Sequence, residues 1–186
     1  MNRNRKADSW FSRLAITALL LLTVQGYAMA AEQQAQPITP QAACAACGMY
    51  PHQYPQWQTQ VIFNDGTMAA FDGGKCMFRY LLNMKKFAPD RDPAQVAAVW
   101  VKDFGTGAWI DGKTAWYVVD SKVMGPMGRE LIPFATEAAA NDFQKANGGT
   151  VAAFQAISMD TIKPLMGGMH HMKQGGHGAG PMHNMQ

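Results

Sequence analysis

"WQTQVIFNDGTMAAFDGGKCMFRYLLNMKK", residues 57 to 86, decides the fold. "WQTQVIF" is rich in β-branched and aromatic residues and reads as a strand. Asn64-Asp65-Gly66 is hairpin chemistry, since these residues accept the backbone that a tight turn needs. "TMAAF" returns as a second strand. Asp72 is then placed to cap a helix over roughly residues 73 to 86, with Met77, Tyr80, Leu81 and Met84 at spacings of three and four. "PDRDP" breaks the chain, and "QVAAVWVKD" (95 to 103) reads as a third strand. The unit is β-β-α-β.

A second unit of the same order follows. "TAWYVVDS" (114 to 121), a loop "KVMGPMG" (122 to 128) and "RELIPF" (129 to 134) lead into a helix capped by Thr136, with Glu137 in its first turn. Asn147-Gly148-Gly149 stops that helix, and "TVAAFQAI" (150 to 157) is the last strand. Each helix is reached from a strand-ending phenylalanine, Phe71 or Phe134. The expected fold is α+β: two tandem β-β-α-β units packed together, spanning 44 to 104 and 105 to 165.

The ends have a different character. Arg3, Arg5, Lys6 and Arg13 flank an apolar run from 14 to 24, and Ala28-Met29-Ala30 has the small-x-small pattern of a cleavage site. Residues 1 to 30 therefore read as a secretory signal, with the mature chain expected to start near Ala31. The run is too short for a stable membrane span. A lipid anchor would need a cysteine directly after it, and the first, Cys44, lies 20 residues past Val24. Residues 31 to 43 are polar, hold two prolines and read as a flexible leader. From 166 to 186 the chain is Gly-rich and crowded with Met166, Met169, His170, His171, Met172, His177, Met182, His183 and Met185. Such a composition is expected to be a disordered tail and a weak metal collector.

The formal charge of +3 comes from 16 Lys+Arg against 13 Asp+Glu. Residues 1 to 30 hold four of the former and one of the latter, leaving 12 against 12. Nothing in that balance selects nucleic acid or an anionic membrane as a partner. Three cysteines leave at least one thiol outside any disulfide, and 14 methionines supply thioethers that resist disulfide chemistry.

Chemistry concentrates at "ACAACGMYPH", residues 43 to 52. A thioredoxin-type centre would place its Cys-x-x-Cys at a helix start, whereas Gly48 and Pro51 here prevent one. A zinc-stabilised structural or interaction module could use Cys44, Cys47, Cys76 and His52, although Cys76 also suits the inward face of the first helix. A Cys44–Cys47 disulfide is a further option. Cu(I) needs only two to four soft donors. Cys47-Gly48-Met49 supplies a thiolate and a thioether around a flexible glycine, and Met124 and Met127 in "VMGPMG" are the best-placed partners. No Ser-His-Asp set or carboxylate pair points to an enzyme, and the folded region has one histidine, His52.

"ACGMYP", "VKDFGTGAWIDGKTAWYVVDS", "VMGPMGRELIPFAT" and "FQKANGGTVAAF", in that order, resemble the NosL family over roughly residues 44 to 162. The resemblance implies paired β-β-α-β units and a periplasmic, non-catalytic Cu(I) chaperone serving nitrous oxide reductase maturation. It carries the family's Cys-x-Met onto Cys47 and Met49 and its Gly-x-Met-Gly methionine onto Met127; Cys44 lies outside that motif, and Cys44, His52 or Met124 are expected as auxiliaries from the residues themselves. A monomer is expected, delivering copper to an acceptor cuproenzyme.

Overall fold

The computed structural model describes residues 33 to 170, so the signal segment and the tail from His171 onward lie outside the described residues. Strands β1 (Thr59–Phe63), β2 (Met68–Phe71), β3 (Val96–Lys102) and β4 (Trp109–Asp111) form one antiparallel sheet, in the order β2-β1-β3-β4. Strands β5 (Trp116–Gly125), β6 (Gly128–Phe134) and β7 (Thr150–Ala153) form a second, in the order β6-β5-β7. Helix α1 (Gly74–Leu81) follows β2, and α3 (Glu137–Asn147) follows β6. In both sheets a hairpin leads through a helix to a strand that returns beside the first, the order expected of paired β-β-α-β units.

Several local details differ from the sequence reading. The first helix stops at Leu81, and a separate turn, α2 (Met84–Phe87), takes up its expected end. Strand β5 runs on to Gly125, so "KVMGPMG" is not a loop but most of a hairpin, with Pro126 and Met127 in its turn. The longer strand tolerates an irregular register between Val119 and Met124, where Asp120 takes a left-handed φ of 63° and its carboxylate accepts Arg129 Nη2 at 2.6 Å. Strand β4 has only three residues, too few for its alternation to stand out. Phe154–Ala156 is a 3-10 turn rather than strand. It leads to α4 (Met159–Ile162) and a 3-10 stretch, Lys163–His170, that includes the first residues of the expected tail.

The segment expected as a flexible leader packs against the first sheet over its described part. Gln36 N–H donates to Gln60 Oε1 at 2.9 Å, Gln60 Nε2 donates to Gln36 O at 3.0 Å, and Trp100 Nε1 donates to Gln33 O at 2.7 Å. Ile38 of this strap is itself buried. Every residue of β1 is therefore buried, Gln60 included, because both faces of that strand are covered.

The main core lies between the sheets and α1: Val61, Phe71, Met77, Phe78, Val99, Tyr117, Leu131 and Ile162 are buried together. Strand β5 alternates, sending Tyr117 and Val119 to this core and Val118 to a smaller one with Ile132, Phe134 and Ala140 of α3. Gly73 and Gly74 let α1 begin hard against β6. A Cβ on Gly73 would stand 2.9 Å from Glu130 Cδ, and one on Gly74 would collide with the Leu131 carbonyl oxygen. Among the described residues no helix is long and apolar enough to cross a membrane.

Candidate metal centre

The sequence between the strap and β1 folds as a tight loop. Cys44 N–H donates to Met49 O at 2.6 Å and Gly48 N–H to Cys44 O at 2.9 Å, with Gly48 at a left-handed φ of 82°. Ala45 N–H donates to Ala70 O at 3.0 Å, which fastens the loop to the free edge of β2. That strand ends at Phe71, so Asp72 and the first turn of α1 lie beneath the loop. Asp72 does not cap the helix, contrary to its expected role: the N-cap position is Gly73, with no side-chain cap. Cys47 Sγ instead donates to Asp72 Oδ1 at 3.3 Å.

The helix start is served from across the core. Glu130 of β6 accepts Lys75 N–H at 2.8 Å and Leu131 N–H at 3.1 Å. A carboxylate thus occupies the positive end of α1, where the first backbone amides lack helical partners. Burial pushes the Glu130 carboxyl up to about 7, while the Lys75 N–H and the Lys75 charge pull it back. Lys75 is itself buried, its Nζ donating to Met127 O at 2.6 Å and Leu165 O at 3.2 Å.

The result is a convergence of donors. One ligand atom each from Cys44, Cys47, Asp72 and Cys76 lies within 4.8 Å of all the others. Cys44, Asp72 and Cys76 are 4%, 1% and 1% exposed, so the half-buried Cys47 forms the mouth. All three cysteines are free thiols. Hydrogen bonds from the Cys47 and Cys76 thiols hold Cys44 well below the usual thiol range, against the cost of burying its charge. The same contact pushes Cys47 up to about 12, and Cys76 rises with it. Burial, then the Cys44 charge, raises Asp72 to about 6. Cys44 is the thiolate of the set, and the Cys47 and Cys76 thiols keep their protons until something displaces them. Asp72 Oδ2 is buried without a hydrogen-bond partner among the described residues. Three sulfurs and one oxygen suit a soft or borderline cation, Cu(I) or zinc, and not a hard one.

The residues singled out from sequence are distributed unevenly. Cys44 and Cys47 lie in this cluster. Cys76 joins them, and the fourth donor of the zinc set is Asp72, not His52, which lies exposed in the 3-10 turn Pro51–Gln53. Met49 is half-buried and is held to Cys44 through its carbonyl. Met127 is half-buried in the hairpin turn, tied through its carbonyl to the residue preceding Cys76. Met124 is 57% exposed. Of the tail residues, Met166 is half-buried, and those from His171 onward lie outside the described part. The missed signal was "FDGGKC", in which Asp72 and Cys76 stand four residues apart on either side of the helix start.

Fold and site together define a small α+β protein with a thiol-rich cluster at the start of its first helix. The NosL family model matches residues 35–162, and the chain belongs to the NosL family. The copper-binding lipoprotein NosL of Stutzerimonas stutzeri is 28% identical over 181 residues, covering 89% of this chain and 92% of the relative. The copper-binding lipoprotein NosL of Achromobacter cycloclastes is 31% identical over 153 residues, covering 78% of each. The crystal structure of the copper chaperone NosL from Shewanella denitrificans superimposes with a TM-score of 0.60 at 26% identity, covering 69% of this chain and 98% of that one. These names describe copper-binding proteins and a copper chaperone, and none describes an enzyme.

Proposed function

We propose that the protein is an exported, periplasmic Cu(I) chaperone that holds copper at the thiol cluster and passes it to a cuproenzyme, in the NosL context nitrous oxide reductase. The observation that carries this reading is the cluster itself: three free thiols and a carboxylate within 4.8 Å, reached through Cys47. Cys47 is the entry ligand. Met49 and Met127 add the thioethers that the family resemblance assigns, and Cys44 and Cys76 supply further sulfur from below. Asp72 takes the Cys47 proton's hydrogen bond in the empty site and loses it when the metal arrives. A site open at one sulfur suits transfer, because an acceptor ligand can attach at the mouth before the buried donors let go. The relatives' names support copper as the cargo.

Anaerobic Cu(I) titration against a chromophoric chelator, with mass spectrometry for stoichiometry, tests the assignment. Cys47→Ser is expected to abolish the tightest site and Met127→Ala to weaken it. If neither changes the affinity, the site is wrongly placed. The four-donor count favours one second reading, a zinc-stabilised module using Cys44, Cys47, Cys76 and Asp72. In that case a chelator should unfold the chain, whereas the apo form of a chaperone stays folded through its melt.

A further inference from the structure

Lys75 is 0% exposed, and its ammonium forms no ion pair among the described residues. Taking such a charge out of water is costly, and an apolar side chain of similar size would fill the same space without that cost. What the lysine adds is direction. Its Nζ donates to Met127 O at 2.6 Å and to Leu165 O at 3.2 Å, while its backbone N–H donates to Glu130 Oε2 at 2.8 Å.

The turn that carries Met127 needs such a hold. It lies between β5 and β6, outside both strands, and the ladder beneath it is irregular between Val119 and Met124. Beyond that break the pairs Met124–Arg129 and Gly125–Gly128 close the hairpin, so sheet pairing fixes the turn only loosely over α1. Contacts from outside the sheet complete the fixing. Trp57, which follows the cysteine loop in sequence, packs on Gly125, where a Cβ would stand 3.2 Å from its ring. Lys75 holds the turn through the Met127 carbonyl, within about 9 Å of its own Cα, and Cys76 is the next residue along the helix. One side chain thus joins the turn bearing Met127 to the helix start bearing Cys76.

We propose that Lys75 is a positioning residue for copper: it holds the Met127 turn against the helix that bears Cys76, so that the thioether is in place as a ligand when Cu(I) arrives. The proposal rests on the reading of the thiol cluster and Met127 as a Cu(I) site. Lys75 itself touches no metal. Its bond to the Met127 carbonyl restrains the backbone of the turn, so the freedom of a thioether donor is lost during folding and not during binding.

The unaltered protein, Lys75→Leu, Met127→Ala and the double variant are compared in three measurements: Cu(I) affinity by anaerobic chelator competition, the number of Cu–S contacts by X-ray absorption, and hydrogen exchange of the metal-free chain. Lys75→Leu is expected to fold with a Tm within about 5 °C of the unaltered protein. It should exchange faster at residues 125 to 128 but not at Val61, and lose about tenfold in affinity with one Cu–S contact fewer. Met127→Ala should show the same loss and the same sulfur count, and the double variant should lose no more than either alone. Losses that add to about a hundredfold in the double variant would overturn the positioning role. So would unchanged exchange in the turn, or an unchanged affinity or sulfur count in Lys75→Leu. A Lys75→Leu chain that does not fold overturns it too, by making the lysine a support of the core. Failure of the Cu(I) reading itself gives a different result, in which Cys47→Ser and Met127→Ala bind as tightly as the unaltered protein.

Discussion

Glu130 is a buried carboxyl at the start of the helix that bears Cys76, and its neutral replacement makes a quantitative test. Burial raises its carboxyl from 4.5 to about 7 in the folded chain. Between those values the folded protein holds a proton that the unfolded chain has released. The favourable contribution is complete below pH 4.5 and is lost as pH rises through 7. At about 1.4 kcal/mol per pH unit, that gap amounts to roughly 3 kcal/mol. Glu130→Gln keeps an acceptor oxygen for the Lys75 and Leu131 amides but carries no charge at any pH. The assay is urea unfolding of the reduced, metal-free protein and the variant at steps from pH 4.5 to 8. Asp72 is raised in the same direction and is present in both proteins, so most of its effect cancels; its charge is the smallest contribution to the rise at Glu130. Relative to the unaltered protein, Glu130→Gln should gain about 3 kcal/mol across the range. A difference that stays flat with pH refutes the account of Glu130 as a carboxyl that burial makes costly to ionise.

The Cys47 and Cys76 thiols are both raised, so Cu(I) must displace protons from them, and affinity should rise by about tenfold per pH unit for each proton released; chelator competition at pH 6, 7 and 8 measures the slope. Gly74→Ala sets a methyl group against the Leu131 carbonyl and should cost about 1–3 kcal/mol, read as a fall in Tm, while exposed Gly107→Ala, strained only by its backbone, leaves α1 in place. Gln60→Ala removes both hydrogen bonds between Gln60 and Gln36 and should cost about 2 kcal/mol. Hydrogen exchange should then quicken at the Gln36 amide but not at Val61, and equal quickening at both would mean that the strap and sheet open as one.

The paired units were legible because their cues are local. Asn64-Asp65-Gly66 sets the first hairpin, Thr136 caps α3 through a bond from Ala139 N–H at 3.2 Å, and Gly148 at φ 71° ends it. The strap was not legible. A polar, proline-containing stretch gains order here because Gln60 and Trp100 present hydrogen-bonding groups on an outer sheet face that no strand pattern marks as covered. The candidate site was half legible. Cys44 and Cys47 stand three residues apart and announce themselves, whereas Asp72 reads as an ordinary helix cap. It is freed from that role by Glu130, 58 residues later, whose carboxylate serves the helix start in its place. No local pattern carries a substitution made across the core. Cys76 was ambiguous for a related reason, since an inward helix position looks the same whether it packs against leucine or against two other sulfurs.

The bond from Ala45 to Ala70 has a consequence for self-association. Strand β2 is the outer strand of its sheet, and unpaired edge groups invite a second chain to add on. The Cys44–Met49 loop occupies that edge, while β4 at the opposite border is too short to template much. The segment that offers sulfur to a metal is thus also the cap that stops the sheet from growing. Loosening it, by oxidation of its cysteines to a geometry the loop cannot hold or by a side chain forced onto left-handed Gly48, should leave chains that pair edge to edge and come out of solution before they lose their core.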